Sequence, residues 1–299
     1  MIKKILIVGG TGFIGYHLAK NSLKKGWRVT SISLNKPKKE RFLKKVNYII
    51  CDITNKKSLN RKINGNFDFV VNLGGHVNHT EKIKTHKSHY LGCKNLAGIF
   101  LKKKIESFIQ LGSGGEYGNI SSPQKESKLG SPKATYAKAK LLATKHLINL
   151  YKKNKFPCTI LRLYQAYGPK QDTNRFLPIL ITNCLKNKKF QTSSGNQYRD
   201  FIHVNDLIKA IFKAIKNKKT KGQIINIGSG KPLKIKKIIF KVMKICQGGN
   251  PEFGKIKLRK DENLKTYPNT IKSKKFLLWK PAISFDKGLK ETIKSYDKK

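Results

Sequence analysis

The chain has 299 residues and a hydrophobic share of 38%, which is low, yet the apolar residues fall in periodic runs that exclude disorder and can fill one large core or two unequal ones. Its 65 Lys and Arg against 16 Asp and Glu give a formal charge of +49, which draws anionic ligands, but the basic residues are spread along the chain and only seven are Arg, so they read as a general lysine bias and not as a nucleic-acid footprint. Cys51, Cys93, Cys158, Cys184 and Cys246 have no short paired spacing, so neither disulfides nor a metal site are expected, and without a signal-like start or a membrane-length apolar stretch the expectation is a cytoplasmic protein that does not contact membranes.

Ile5-Leu6-Ile7-Val8 is wholly apolar and rich in β-branched residues, as suits a strand buried on both faces of a parallel sheet. Gly9-Gly10-Thr11-Gly12-Phe13-Ile14-Gly15 follows and leads into a helical pattern over 16–25. Glycines at 9, 12 and 15 allow a tight turn, close approach of a pyrophosphate and close packing of helix on strand, so this loop reads as a dinucleotide cradle. A second strand over 28–34 ends in Ser33-Leu34-Asn35-Lys36, where an NAD-selective protein usually offers the ribose 2′-hydroxyl a carboxylate; Ser33 and Lys36 suit a 2′-phosphate, which favours NADP over NAD. A third strand over 46–51 precedes Asp52-Ile53, placed either to accept from the adenine amino group or to cap a helix over 55–62. A fourth, over 67–73, ends in Leu73, Gly74 and Gly75, whose bare backbone lets a cofactor lie close; His76 and His79 beyond it are candidates for lining a sugar pocket.

A helical stretch over 81–104 and a strand over 107–111 continue an alternation that predicts an α/β, Rossmann-type doubly wound parallel sheet. Gly112-Ser113-Gly114-Gly115-Glu116-Tyr117-Gly118 then stands at the carboxyl edge of that sheet, where such folds bind ligands. A helix over 134–154 carries Tyr136 and Lys140 one turn apart on one face, a phenol and an amine able to handle a proton together. A strand over 157–163 runs out into Tyr164-Gln165-Ala166-Tyr167-Gly168-Pro169, helical patterns cover 174–188 and 207–216, and a strand over 223–227 rejoins the sheet.

Taken in order, these segments resemble the extended short-chain dehydrogenase/reductase family, in its NAD(P)-dependent nucleotide-sugar epimerase/dehydratase branch. The match runs through Gly9 to Gly15, Asp52-Ile53, Ser113 to Gly118, Tyr136 with Lys140, Arg162 to Pro169, Arg199-Asp200-Phe201-Ile202-His203-Val204-Asn205-Asp206, Asn226-Ile227-Gly228-Ser229-Gly230 and Leu278-Trp279-Lys280-Pro281. The resemblance implies that Tyr136 exchanges a proton with a sugar hydroxyl or ketone, that Lys140 holds the nicotinamide ribose and lowers the Tyr136 pKa, and that Ser113 hydrogen-bonds the reacting oxygen. It implies a smaller α/β lobe for a nucleotide-sugar, with Arg175 and Phe176 beside the ligand and Arg199 on its diphosphate; the alternative for Arg199 is a salt bridge to Asp200 or Asp206. His76, Gly114, Gly115 and Gln165 complete the expected sugar contacts. Residues 1–168 with about 200–228 would form the cofactor domain and about 169–199 with 229–299 the substrate domain, in a homodimer.

Departures from the family narrow the chemistry. Dehydrating members carry an acid pair directly after the residue matching Ser113; here Gly114 and Gly115 stand there, which disfavours a 4,6-dehydratase. Gly74-Gly75 replaces a common pair of alanines, and Gln165 a common asparagine. The expected activity is hydride exchange at C4 of a nucleotide-linked sugar, as a 4-ketoreductase or a 4-epimerase. The alternative of a non-catalytic family member that binds RNA has no use for the set Ser113, Tyr136 and Lys140.

Overall fold

The computed structural model describes residues 1–76, 78, 80–258 and 262–297; His79 falls outside them. The first half alternates β1 (Lys4–Val8), α1 (Phe13–Lys24), β2 (Arg28–Ser33), β3 (Val46–Ile50), α2 (Lys56–Lys62), β4 (Phe69–Asn72), α3 (Lys82–His86), α4 (Gly92–Leu101), β5 (Ser107–Ser113), α5 (Thr135–Asn154) and β6 (Cys158–Leu163). Next come β7 (Gln165–Tyr167), α6 (Phe176–Leu185), β8 (Lys189–Gln191), β9 (Tyr198–Arg199), β10 (Phe201–His203), α7 (Val204–Lys216) and β11 (Gln223–Ile227). The chain closes with β12 (Leu233–Lys234), α8 (Ile235–Cys246), β13 (Asn250–Glu252), β14 (Lys265–Thr266), α9 (Ile271–Leu277) and α10 (Phe285–Tyr296).

Seven strands form one sheet in the order β11-β6-β5-β4-β1-β2-β3, and all its pairings are parallel. The strands are mostly apolar because both faces are covered. Ile5 and Ile7 point with Val71, Ile109 and Ile225 into a core shared with α1 and α7, while Leu6 and Val8 point with Val70, Phe108 and Ile160 into one shared with α4 and α5. The strand order reverses between β1 and β4, whose ends align Val8 with Asn72, so the Gly9 turn and the Leu73–Gly75 segment open side by side at the switch point of the sheet.

Two elements depart from their sequence patterns. The helix expected over 81–104 is interrupted by a five-residue π-helical segment, Lys87–Leu91, between α3 and α4. The helix expected over 174–188 is confined to Phe176–Leu185, with Arg175 as its N-cap. A third apolar cluster, with Leu177, Ile181, Ile238, Ile239, Leu289 and Ile293 at its centre, joins α6, α8 and α10. Among the described residues no helix is long and apolar enough to cross a membrane, and no three His, Cys, Asp or Glu side chains are grouped to hold a metal ion.

Candidate active site

The glycine turn is built as its spacing predicts. Gly9 has φ +77°, and a Cβ on it would lie 3.1 Å from the Gly74 nitrogen. A Cβ on Gly15 would sit 2.2 Å from the Gly9 carbonyl oxygen, so helix and turn touch backbone to backbone. The N-cap of α1 is Gly12, which has no side chain to satisfy the first amides, and no acid lies in the first turn. That end of the helix is therefore suited to a diphosphate. Phe13 is buried and Ile14 half-buried behind it.

Ser33 is buried and its hydroxyl accepts from the Thr11 N–H at 3.3 Å, tying the end of β2 to the turn. Lys36 is exposed on the following loop. Arg41, further along, is committed elsewhere: it donates to the Lys170 carbonyl at 3.0 Å and to Asp172 at 2.9 Å. Asp52 is exposed and accepts from the Thr54 amide at 2.8 Å; the cap of α2 is Asn55, not Asp52. Ile53 is buried, and a Cβ on Gly92 would meet its side chain at 2.5 Å.

Tyr136 lies in the first turn of α5, Lys140 one turn on, and Ser113 at the end of β5. The Ser113 hydroxyl shares a hydrogen bond with the Tyr136 phenol and also accepts from the Gly115 amide at 3.1 Å. Lys140 is 4% exposed; its Nζ donates to the Leu111 carbonyl at 2.6 Å and stands 6.0 Å from the centroid of the Tyr136 ring. Burial pushes the Lys140 amine down to about 8, against the opposing pull of Glu116 and Cys93.

The expected lowering of the Tyr136 pKa by Lys140 is corrected here. Burial holds the phenol above its ordinary value, the Ser113 hydrogen bond opposes it, the Glu116 charge raises it further and Arg175 lowers it. The amine turns into the strand end, where the Leu111 carbonyl accepts its hydrogen bond, so desolvation outweighs it at the phenol. From Leu111 a buried chain continues through Gln110 (3.2 Å), Asn72 (2.8 Å) and the Gly74 amide (3.1 Å), linking Lys140 to the edge of the cofactor cleft.

Glu116 was not foreseen as a site residue, and it is the most enclosed charge nearby. It is 0% exposed and pairs with Arg162, itself 3% exposed, at 2.9 Å. It also accepts from Thr144 at 2.8 Å and from the Ser113 amide at 2.8 Å. The Arg162 guanidinium in turn covers the Tyr117 ring at 4.4 Å. Glu116 thus faces the core and fixes Ser113, with its carboxylate committed to Arg162, Thr144 and the Ser113 amide. Gly114 and Gly115 have separate roles: a Cβ on Gly114 would strike the Tyr164 ring at 2.8 Å, whereas Gly115 is exposed and meets Ser113 and Ala137 only at ordinary contact distance. A glutamate between two glycines and a tyrosine, and an arginine inside an apolar strand, were the available signals for this pair.

Gln165, Phe176 and Arg199 line one cavity of about 450 Å³ walled by Phe190, Phe201 and Ile239. Arg175 stands directly before Phe176 as the N-cap of α6, and its charge acts on Tyr136. Arg199 is held by Glu262 at 2.5 Å and donates to the Tyr198 carbonyl at 2.8 Å. Neither carboxylate named as its alternative partner is used: Asp200 accepts from the Ser229 and Gly230 amides at 2.7 and 2.6 Å, and Asp206 from the Ala282 and Ile283 amides at 3.0 and 2.8 Å. His76 is half-buried outside this cavity, with its Nε2 3.0 Å from Glu81.

A parallel sheet with a glycine turn at its switch point and a Ser–Tyr–Lys set beside it defines a dinucleotide-binding oxidoreductase scaffold. The chain belongs to the NAD dependent epimerase/dehydratase family, whose model matches residues 5–228. It is similar to a putative UDP-glucose 4-epimerase of Methanocaldococcus jannaschii, 29% identical over 97% of each chain. It is also similar to a UDP-N-acetyl-alpha-D-glucosaminuronate decarboxylase of Bacillus cytotoxicus, 27% identical over 98% of this chain and 97% of the other. Among solved structures, the UDP-glucuronic acid 4-epimerase of Bacillus cereus, in complex with UDP-glucuronic acid and NAD, superposes with a TM-score of 0.87 at 26% identity over 98% of each chain.

Proposed function

We propose that the protein is an NAD(P)-dependent enzyme that interconverts hydroxyl and ketone at C4 of a nucleotide-linked sugar. The observation that carries this reading is the Ser113–Tyr136 hydrogen bond at the carboxyl edge of the sheet, with Lys140 one turn behind. The dinucleotide would lie along residues 9–15, near Asp52, Ile53 and Leu73 to Gly75, and when bound it supplies or accepts the hydride. Ser113 orients the C4 oxygen, and Tyr136 gives it a proton in reduction and takes one in oxidation. The raised Tyr136 pKa keeps the phenol protonated near neutrality, which suits proton donation to a ketone.

Arg199 supplies the cation for the diphosphate, and Gln165, Phe176 and Arg175 the wall for the sugar and nucleotide. The division of the chain at about residues 168, 200 and 228, and a homodimer, are parts of the same proposal. Gly114 and Gly115 carry no acid, and Glu116 is committed to Arg162, Thr144 and the Ser113 amide in the core, which weighs against elimination of water.

Two directions are supported by different observations. Ser33 and the exposed Lys36, with no carboxylate at the end of β2, favour an NADPH-dependent 4-ketoreductase. Similarity to two proteins named as 4-epimerases favours an epimerase with retained NAD. Purified protein mixed with NADPH and a 4-keto nucleotide-sugar tests the first: consumption of the reduced nicotinamide is expected of a reductase. No consumption, with NAD co-purifying, assigns the second.

A further inference from the structure

The π-helical segment Lys87–Leu91 has no part in the chemistry above, yet it points His89 at the centre of it. The extra residue per turn in such a segment re-aims a side chain that a regular helix would send elsewhere. His89 is 6% exposed, and its imidazole meets the Tyr136 ring edge to face, with centroids 4.9 Å apart and planes at 81°. Its Nε2–H donates to the His76 carbonyl at 3.1 Å, while the neighbouring Ser88 hydroxyl accepts from the His76 amide at 2.8 Å. The segment therefore grips both backbone groups of His76, directly after the glycines of the cofactor edge, and braces Tyr136 with the same imidazole.

Gly75 makes this possible. A Cβ there would lie 1.8 Å from the His89 ring, so the imidazole occupies the volume that an alanine would fill. The replacement of an alanine by Gly75 and the presence of a ring at 89 are thus two sides of one fit.

We propose that His89 is a positioning residue of the active centre: seated in the gap left by Gly75 and anchored to the His76 carbonyl, it holds the Tyr136 ring so that the phenol stays on Ser113. This rests on the reading of Tyr136 as the proton carrier. It adds a residue that touches the phenol ring and not the sugar.

The test compares His89→Ala, which removes the ring and its N–H, with His89→Phe, which keeps a ring of similar size, and Gly75→Ala, which expels the ring while leaving residue 89 unchanged. In the 4-keto sugar assay His89→Ala lowers kcat by about 10- to 100-fold, with KM and the NADPH Kd within about twofold of wild type, and Gly75→Ala lowers kcat at saturating NADPH by at least as much. His89→Phe recovers most of the rate, and the double variant Gly75→Ala/His89→Ala is no slower than His89→Ala alone. The second readout needs no turnover. In protein labelled with 13C at the tyrosine ζ-carbon, the Tyr136 resonance, assigned by its loss in Tyr136→Phe, moves in His89→Ala and holds its position in His89→Phe. Wild-type kcat together with an unmoved resonance in His89→Ala overturns the proposal, as does a rate loss that merely follows the unfolded fraction. If wild type reduces no 4-keto sugar and epimerises no nucleotide-sugar, the proposed function falls, and the resonance alone decides whether His89 braces Tyr136.

Discussion

Removing the Glu116 carboxylate should cost more stability than any other single change near the site. Glu116→Ala leaves the Arg162 guanidinium, 3% exposed, without its counter-charge and takes the acceptor from Thr144 and from the Ser113 amide. Breaking a buried pair from one side costs about 3–5 kcal/mol, a large share of the roughly 5–15 kcal/mol that holds a folded protein together. In a chain of this length that corresponds to a fall in Tm of about 5 to 8 °C. Replacing both partners by apolar residues of similar size, as in Glu116→Leu/Arg162→Met, removes the stranded charge and should recover most of the loss. The Ser113 amide still lacks its acceptor in the double variant, so turnover stays low while the fold returns. Urea unfolding followed by far-UV circular dichroism measures both variants. A loss below about 1 kcal/mol in Glu116→Ala, the range of an exposed ion pair, would refute the reasoning, and so would a double variant less stable than the single one.

The remaining predictions concern the cofactor cleft. Gly15→Ala puts a Cβ 2.2 Å from the Gly9 carbonyl oxygen and 2.5 Å from the Gly10 Cα, both backbone, so the turn must open. It should cost about 1–3 kcal/mol and weaken NADPH binding at least about tenfold in a fluorescence titration. Lys140 titrates near 8 in the folded protein against an ordinary 10.5, so between those values the unfolded chain holds a proton that the folded one lacks, and stability rises with pH across that window. Below it the penalty is complete; relief of up to about 3 kcal/mol on crossing the window should appear in wild type and vanish in Lys140→Met, as read by urea unfolding at several pH values. Ser33→Asp should shift cofactor preference toward NAD by placing a carboxylate at the end of β2, measured as the ratio of the two Kd values; an unchanged ratio would argue against Ser33 and Lys36 as the 2′-phosphate contacts.

The parts of the site visible in sequence were those whose physics is local. A glycine turn must follow a strand and open a helix, and a phenol and an amine four residues apart must share a helix face, so Gly9 to Gly15 and Tyr136 with Lys140 could be placed from spacing alone. The central alternation was legible for the same reason: strands covered on both faces are written as unbroken apolar runs. What escaped depends on contacts across long stretches of chain. The Glu116–Arg162 pair spans 46 positions and the Arg199–Glu262 pair 63, and neither partner marks the other in the sequence. The π-helical segment interrupts a pattern that otherwise reads as one helix over 81–104, so His89 looked like any polar residue of that helix. The effect of Lys140 on the Tyr136 pKa differs from the expectation for a related reason. A nearby amine favours a phenolate only where burial does not outweigh it, and burial comes from the assembled sheet and helices, not from the four-residue spacing.

The central claim is that hydride leaves or reaches C4 while Tyr136 carries the proton. A nucleotide-sugar deuterated at C4, incubated with wild type and with Tyr136→Phe in the presence of the oxidised cofactor, puts this to one measurement: the position of the label, read by NMR. The account predicts that in wild type deuterium moves from C4 to the nicotinamide when the product is the 4-ketone, or reappears at C4 of the inverted sugar when the cofactor is retained, and that both outcomes are lost in Tyr136→Phe. Deuterium that washes out into water, or transfer at an undiminished rate without the phenol, would contradict it.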